Sequence, residues 1–339
     1  MLRLPKFQVA APDSVAEAVA LLEQHGEDAL VIAGGTDLVP NMKHELFTPE
    51  LVVSLANIRK LRGIKQAEEG GLTIGAMSTL SDVAASEQVR DGAPALAQAA
   101  SLVAGPQLRQ MGTLGGNVML DTRCQWYNQT YFWRDALGFC LKKDGTLCHV
   151  VAGGNKCVAA ASNDTAPALM TLAATLVFEG TGGQREIPIH ELFLADGIYN
   201  KKVRGEILTA VRIPALAPGH RGAYGKLRER GSIDFPLFGV AARLDVAADE
   251  TVAYASLAAV ALQARPVLLK RSAESLLGLR PGTRDFERGV DEAAELAYRQ
   301  CRPLDNVPGD SDWRHEMVPV YVRRTLLAAL EGSGPVHHV

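Results

Sequence analysis

The sequence predicts an α+β protein in two parts, a longer domain mixing helices with short strands and a smaller domain of antiparallel sheet plus helices. Two observations predict it. Over residues 1–213, apolar residues at helical spacing alternate with short apolar runs that end in glycine turns. Beyond the linker Pro214-Ala215-Leu216-Ala217-Pro218-Gly219, three strand-like runs come first and three helical patterns follow, an ordering that indicates helices layered on a sheet. At 339 residues, 47% hydrophobic and 22% charged, the chain can bury a core in each part.

The elements follow in order. Val15, Ala18, Val19 and Leu22 have helical spacing, Ser14 and Glu17 form a capping box, and Gly26 supplies the stop. Residues 29–33 read as a buried strand entering the turn Gly34-Gly35-Thr36-Asp37. Glycines in such a turn let backbone N–H groups converge on an anion, because no side chain blocks a phosphate; an ordinary turn has the same sequence. Residues 51–55 and 72–74 are strands, the second leading into Gly75-Ala76. A helix over residues 94–104 halts at Gly105-Pro106, and a second glycine turn, Thr113-Leu114-Gly115-Gly116-Asn117, comes next. Asp164 is placed to N-cap a helix over 165–173, followed by a strand over 174–179. After a strand at 207–213 and the linker, the second part has strands at 223–228, 238–246 and 252–262, the last two a hairpin, then helices at 266–277, 285–299 and 318–330. The tail, residues 332–339, reads as frayed. No internal repeat is present.

Charge and termini narrow the function. A net charge of -3 gives no electrostatic reason for nucleic acid or an anionic membrane as partner. There is no apolar leader and no run of about eighteen apolar residues, so a cytoplasmic location without membrane insertion is expected. In a reducing compartment clustered cysteines point to metal or redox chemistry more than to disulfides. Four of the five cysteines, Cys124, Cys140, Cys148 and Cys157, fall between the second glycine turn and Asp164, spaced C-x15-C-x7-C-x8-C. That spacing is neither a zinc ribbon nor a bacterial ferredoxin run. Four thiolates alone specify a tetrahedral site, open to zinc, to an iron–sulfur cluster, or to buried thiols with no metal; His149 is an alternative ligand. Trp126, Tyr127, Tyr131, Phe132, Trp133 and Phe139 crowd the same segment, where they would shield a cluster or simply supply the insert's own core. Cys301, alone at a helix end, reads as an inert buried thiol. No Ser-His-Asp or paired-carboxylate constellation calls for hydrolysis.

Taken together, Ala33-Gly34-Gly35-Thr36-Asp37, Ile74-Gly75-Ala76, Thr113-Leu114-Gly115-Gly116-Asn117, Asp164 before Ala166-Pro167-Ala168-Leu169, Tyr224-Gly225-Lys226-Leu227-Arg228 and Asp234-Phe235-Pro236 resemble the FAD-binding subunits of the molybdenum hydroxylases, the xanthine dehydrogenase and carbon monoxide dehydrogenase group. The cysteine insert, with Asp121-Thr122-Arg123-Cys124 and Tyr127-Asn128-Gln129, resembles the β subunits of 4-hydroxybenzoyl-CoA reductases within that family. The resemblance implies a two-part FAD-binding domain of the PCMH type over residues 1–216, interrupted by a [4Fe-4S] insert at about 122–161, and a C-terminal domain of the carbon monoxide dehydrogenase flavoprotein type over 220–331. It implies that Val31, Ile32, Ala33, Gly34, Gly35, Thr36, Asp37 and Leu38, with Thr113, Gly116 and Asn117, hold the FAD diphosphate. Asp164 would accept from the adenosine ribose, Lys226 would lie near the flavin, and Cys124, Cys140, Cys148 and Cys157 would ligate [4Fe-4S]. Where carbon monoxide dehydrogenase relatives carry Ala-Gly-Gly-His-Ser, this chain has Thr36-Asp37. The implied partners are a molybdopterin-binding large subunit, a [2Fe-2S] small subunit and external ferredoxin, in a dimer of heterotrimers that removes the phenolic hydroxyl of an aromatic CoA thioester. Two other readings stay open: an oxidative hydroxylase subunit that passes electrons outward to NAD or a quinone, and a zinc-stabilised nucleotide-binding module with no redox role.

Overall fold

The computed structural model describes residues 2–67 and 69–337. Three sheets organise the fold, which is the α+β layering expected. A parallel sheet in the order Gln8–Ala10, Leu51–Ser54, Ala29–Ile32 packs against the Val15–His25 helix. That helix starts where expected: Ser14 Oγ accepts from the Glu17 N–H at 3.2 Å, and Gly26 closes it at φ 55°. The box is displaced by one residue, since the Glu17 carboxylate accepts from Asp13 N rather than from Ser14 N.

The second sheet is antiparallel, in the order Ile64–Gln66, Leu72–Gly75, Ile207–Ile213, Thr175–Gly180, Gly183–Pro188. The third runs Val267–Leu268, Val252–Val260, Phe238–Val246, His220–Leu227, Val336–His337, with the expected hairpin at its centre. Helices Pro94–Ser101 and Thr165–Thr171 lie between these two sheets. Their Ala99, Ala100 and Leu169 share one core with Ile74, Phe178 and Val211 on one side and Tyr224, Ala241 and Ala258 on the other. The opposite face of the third sheet packs Phe238 and Leu244 against Val290, Ala294, Val322 and Leu326 of helices Arg284–Gln300 and Ser311–Glu331. Among the described residues no helix is long and apolar enough to cross a membrane.

Several expected boundaries move, each for a tertiary reason. The helix begun at Pro94 ends at Ser101, and Pro106 does not merely halt it but opens a new helix, Pro106–Met111, because proline suits a first turn. Residues 267–268 form a strand instead of helix, since the edge at Ala258 and Ala259 offers them hydrogen-bond partners; only Lys270–Glu274 is helical. The last helix starts at Ser311, well before the expected 318, and runs through Pro319. Its polar first turns are held by buried Arg314, which donates to the carbonyls of Leu237, Leu304 and Ala261 at 3.1, 3.0 and 2.8 Å. The tail is not frayed throughout: Val336 and His337 pair in parallel with Gly225 and Lys226, while residues 338 and 339 lie outside the described residues.

At the edge of the second sheet, Arg185 grips Glu206 with both Nε (2.7 Å) and Nη2 (2.6 Å), and Val203 N–H adds a third donor at 3.0 Å. The Arg185 hydrogen bonds hold the Glu206 carboxyl below the usual carboxylate range. A carboxylate depressed by folding stabilises the fold above its unfolded pKa of about 4.3, and that contribution disappears as pH falls through the folded value. Glu206→Gln is therefore expected to cost about 1 kcal/mol at neutral pH, Arg185 being a third exposed, and to flatten the acid limb of the stability profile. Urea titrations from pH 3 to pH 7 check this; parallel profiles for the two proteins would assign the acid sensitivity elsewhere.

Candidate functional site

The glycine motifs, far apart in the chain, meet in space. The Ala29–Ile32 strand delivers Ala33, Gly34, Gly35 and Thr36 into a turn, with Gly35 at φ 72°, and the Leu38–Lys43 helix follows. Gly34 rests on the backbone carbonyl of Met111, where any Cβ would collide. Thus the first turn sits directly against Gly112, the residue that opens the second motif. That second motif is not a loop turn but a short helix, Leu114–Val118, because the Thr113 hydroxyl accepts from Gly116 N at 3.0 Å and caps it. Gly115 N donates to Ala76 O at 2.8 Å, and a Cβ on Gly115 would lie 2.7 Å from the Ala76 Cβ. The Gly75-Ala76 motif therefore forms the floor under the second motif. Val31, Ile32 and Leu38 support this cradle from the strand and helix on either side of the first turn.

The cap expected of Asp164 is made by Asn117 instead. The Asn117 side-chain oxygen accepts from Thr165 N (3.0 Å) and Thr165 Oγ1 (2.6 Å), so it is Asn117 that caps the Thr165–Thr171 helix. Asp164 makes no cap bond. It turns instead toward the second domain, where Tyr224 Oη donates to it at 2.8 Å and Lys226 Nζ lies 3.0 Å away. The Lys226 ammonium completes its three donors on Leu102 O and Asp234 O, both at 2.9 Å. Burial pushes the Asp164 carboxyl up and the Lys226 ammonium down, each against the attraction of the other, and pushes Tyr224 well up. Lys226 is fully buried, so the pair ties the two domains together behind the cradle. The neighbouring Asn163 keeps its side-chain oxygen buried without a partner among the described residues, while its amide donates to Val118 O at 3.2 Å.

Asn163 also lines a cleft, together with residues 118–122 and the loop of Gly197, Ile198 and Tyr199. The tight glycine cradle, and beside it the buried Asn163 oxygen without a partner among the described residues, are features a dinucleotide would use, its diphosphate needing backbone donors and its hydroxyls an acceptor. The 197–199 loop carries no sequence signal of its own, because its neighbours in the cleft lie far upstream in the chain.

The insert has a neck and a chamber. Arg123 and Ala160 pair as an antiparallel bridge at 2.7 and 2.6 Å, closing the loop at its base. Inside, Cys124, Cys140, Cys148 and Cys157 all line one pocket, with Trp126, Tyr127 and Val150 among its walls. All four thiols are free. Among the described residues no three His, Cys, Asp or Glu side chains lie close enough to hold a single metal ion. N–H groups of Val151 and Ala159 point at Cys148 and Cys157 sulfurs at 3.4 Å, as donors to metal-bound sulfur do. His149 is engaged with the Phe139 carbonyl at 2.7 Å and stacks near Trp126. Cys301 lies apart in the second domain's core, where burial pushes its thiol up to about 12.

Lys142 joins the two places. Its ammonium donates to Asp121 Oδ1 (2.8 Å), Thr122 Oγ1 (2.7 Å) and Gly197 O (2.6 Å), so one side chain spans the wall between thiol pocket and cleft. Nothing in its sequence neighbourhood signals this.

A family model described as the FAD binding domain in molybdopterin dehydrogenase matches residues 5–216, and one described as the CO dehydrogenase flavoprotein C-terminal domain matches 223–329. This chain belongs to the FAD-binding subunits of the molybdenum hydroxylases. Among members of the family, it is 32% identical to the carbon monoxide dehydrogenase medium chain of Hydrogenophaga pseudoflava over 96% of this chain and 97% of that one. It is 28% identical to the nicotinate dehydrogenase FAD-subunit of Eubacterium barkeri over 89% and 90%. The solved carbon monoxide dehydrogenase from Hydrogenophaga pseudoflava superposes with a TM-score of 0.79 at 30% identity, covering 97% of this chain and 99% of that chain. These relatives carry the relationship to the family of molybdenum hydroxylase FAD subunits. They lend no support to the CoA-thioester reductase branch or to a [4Fe-4S] cluster, both of which rest on the insert alone.

Proposed function

We propose that this chain is the FAD- and [4Fe-4S]-carrying subunit of a reductive molybdenum enzyme of the 4-hydroxybenzoyl-CoA reductase type. The observation that carries this reading is the convergence of four cysteines, spread through an insert, on one pocket where backbone N–H groups are directed at two of the sulfurs. When bound, FAD exchanges one or two electrons and an iron–sulfur cluster one at a time, so a subunit with both can link one-electron and two-electron chemistry. Residues 31–38 with Thr113, Gly116 and Asn117 would hold the diphosphate by backbone and hydroxyl donors. Asp164, the proposed acceptor for an adenosine ribose hydroxyl, is buried and held by Tyr224 and Lys226. Cys124, Cys140, Cys148 and Cys157 would ligate the cluster, and Trp126 and Tyr127 keep water from it. The partners proposed are a molybdopterin-binding large subunit, a [2Fe-2S] small subunit and a ferredoxin donor, assembled as a dimer of heterotrimers in the cytoplasm. A relative named as a medium chain and another as an FAD-subunit support a multi-subunit assembly.

Protein purified without air is expected to contain about four irons and four acid-labile sulfides per chain, as a cubane cluster held by four thiolates requires, alongside flavin absorption. Zinc in place of iron would overturn the reading. The relatives' names, dehydrogenases, favour a second reading in which electrons leave this subunit toward NAD or a quinone. Rapid mixing with reduced ferredoxin and with NADH separates the two: flavin bleached by NADH and untouched by ferredoxin selects the outward direction.

A further inference from the structure

The first glycine turn contains a carboxylate, Asp37, where the proposed function places a diphosphate. A negative charge there opposes the ligand. The structure supplies its counter-charge from the insert. Arg123, next to the first cysteine and at the neck bridge, forms an ion pair with Asp37 through Nη2 and donates from Nη1 to Asn41 Oδ1 at 2.8 Å and to Asn128 Oδ1 at 3.4 Å. Asn41 in turn donates to the other Asp37 oxygen at 3.0 Å. The guanidinium lies 5.5 Å from the Phe235 ring, and its Nε is buried with no partner among the described residues. Arg123 itself is only 6% exposed, so its charge is screened little by water, whereas Asp37 is a third exposed on the cradle side.

We infer that Arg123 is a positioning residue for FAD: it neutralises and orients Asp37, and so makes nucleotide affinity depend on the base of the cysteine insert. Insert and turn form one electrostatic unit. A chain with serine at position 37 has no such charge to offset and no need of Arg123. The inference rests on the proposed FAD assignment and is tested by titrating FAD into the deflavinated full chain and following flavin fluorescence. Arg123→Ala is expected to weaken FAD binding about tenfold or more at low ionic strength, and the loss should shrink as salt is raised. Asp37→Ser should bind at least as tightly as the natural chain. The double variant should return to within about twofold of it, the signature of a coupled pair.

A purely structural Arg123 predicts the reverse for the double variant, which would then be as weak as Arg123→Ala; that result, or an unchanged Arg123→Ala affinity, overturns the inference. Arg123→Gln, which removes the charge but keeps a hydrogen-bonding side chain, repeats the comparison if the alanine variant does not fold. A natural chain that takes up no FAD removes the functional reading itself, and the inference with it. One that binds FAD while the two substitutions prove uncoupled removes the inference alone.

Discussion

Asp164→Ala is expected to destabilise the folded chain by about 3–5 kcal/mol, the range for removing one partner of a buried ion pair. The cost comes from what stays behind. Lys226 is fully buried, and without Asp164 its ammonium keeps two carbonyl partners but loses its counter-charge, while the Tyr224 hydroxyl loses its acceptor. A helix-cap loss alone would cost about 1 kcal/mol, and Asn117 already provides the cap. The variant should also become more stable as pH rises. Burial already holds the Lys226 pKa below its ordinary value; with the carboxylate gone, the unfolded chain binds more protons than the folded one between that depressed value and about pH 10.4, so stability rises with pH across this window and is flat below it. Adding Lys226→Met should recover much of the loss, because the uncompensated charge is then removed. Urea unfolding of the three proteins reads this out. A single variant within about 1 kcal/mol of the natural chain would mean that the pair is not the link between the domains.

On the proposed cluster assignment, Cys140→Ser is expected to abolish the iron content of the chain while FAD stays bound. Cys140 is one of four thiols around a single pocket, and serine is a poor ligand for a cluster built on thiolates. The cradle is made from other residues, and the neck bridge of Arg123 and Ala160 lies outside the thiol pocket, so flavin content should hold. Cys301→Ser is the matched control. It removes a thiol that sits in the second domain's core, away from the insert, and iron content should not change. Iron and flavin determined on the same anaerobic samples decide the matter: an iron content that survives Cys140→Ser, or that falls with Cys301→Ser, places the ligands wrongly. Loss of the proposed cluster should also loosen the insert, whose core is small, Tyr127, Ala159 and the two buried cysteines packing with Leu46 from outside it. Limited proteolysis within residues 122–161 would report that loosening.

Local chemistry made much of this protein legible from its residues. Ser14 and Gly26 bound a helix because a hydroxyl acceptor and a glycine at positive φ act within a few residues of themselves. The hairpin of Phe238–Val246 and Val252–Val260 was readable for the same reason, two apolar runs and a polar turn being contiguous. Gly34 and Gly115 marked the cradle because close backbone approach leaves no room for a side chain, and Gly35 because its φ of 72° is left-handed. The α+β class, most element positions and the motifs that carry the family resemblance were therefore all within reach of the residue order.

How distant parts answer one another was settled by packing. Asp164 looked like a cap and became half of an interdomain pair, because its partners, Tyr224 and Lys226, come from another sheet far along the chain. Residues 336–337 looked frayed and became a strand because the edge at Gly225 and Lys226 was open to them. The Arg123–Asp37 pair and the three bonds of Lys142 leave no mark on local spacing, since each joins segments whose approach is set by the whole fold. Periodicity and caps act over a few residues; charges and open strand edges act on whatever the packed chain brings near, and this separates what could be read from what had to be seen.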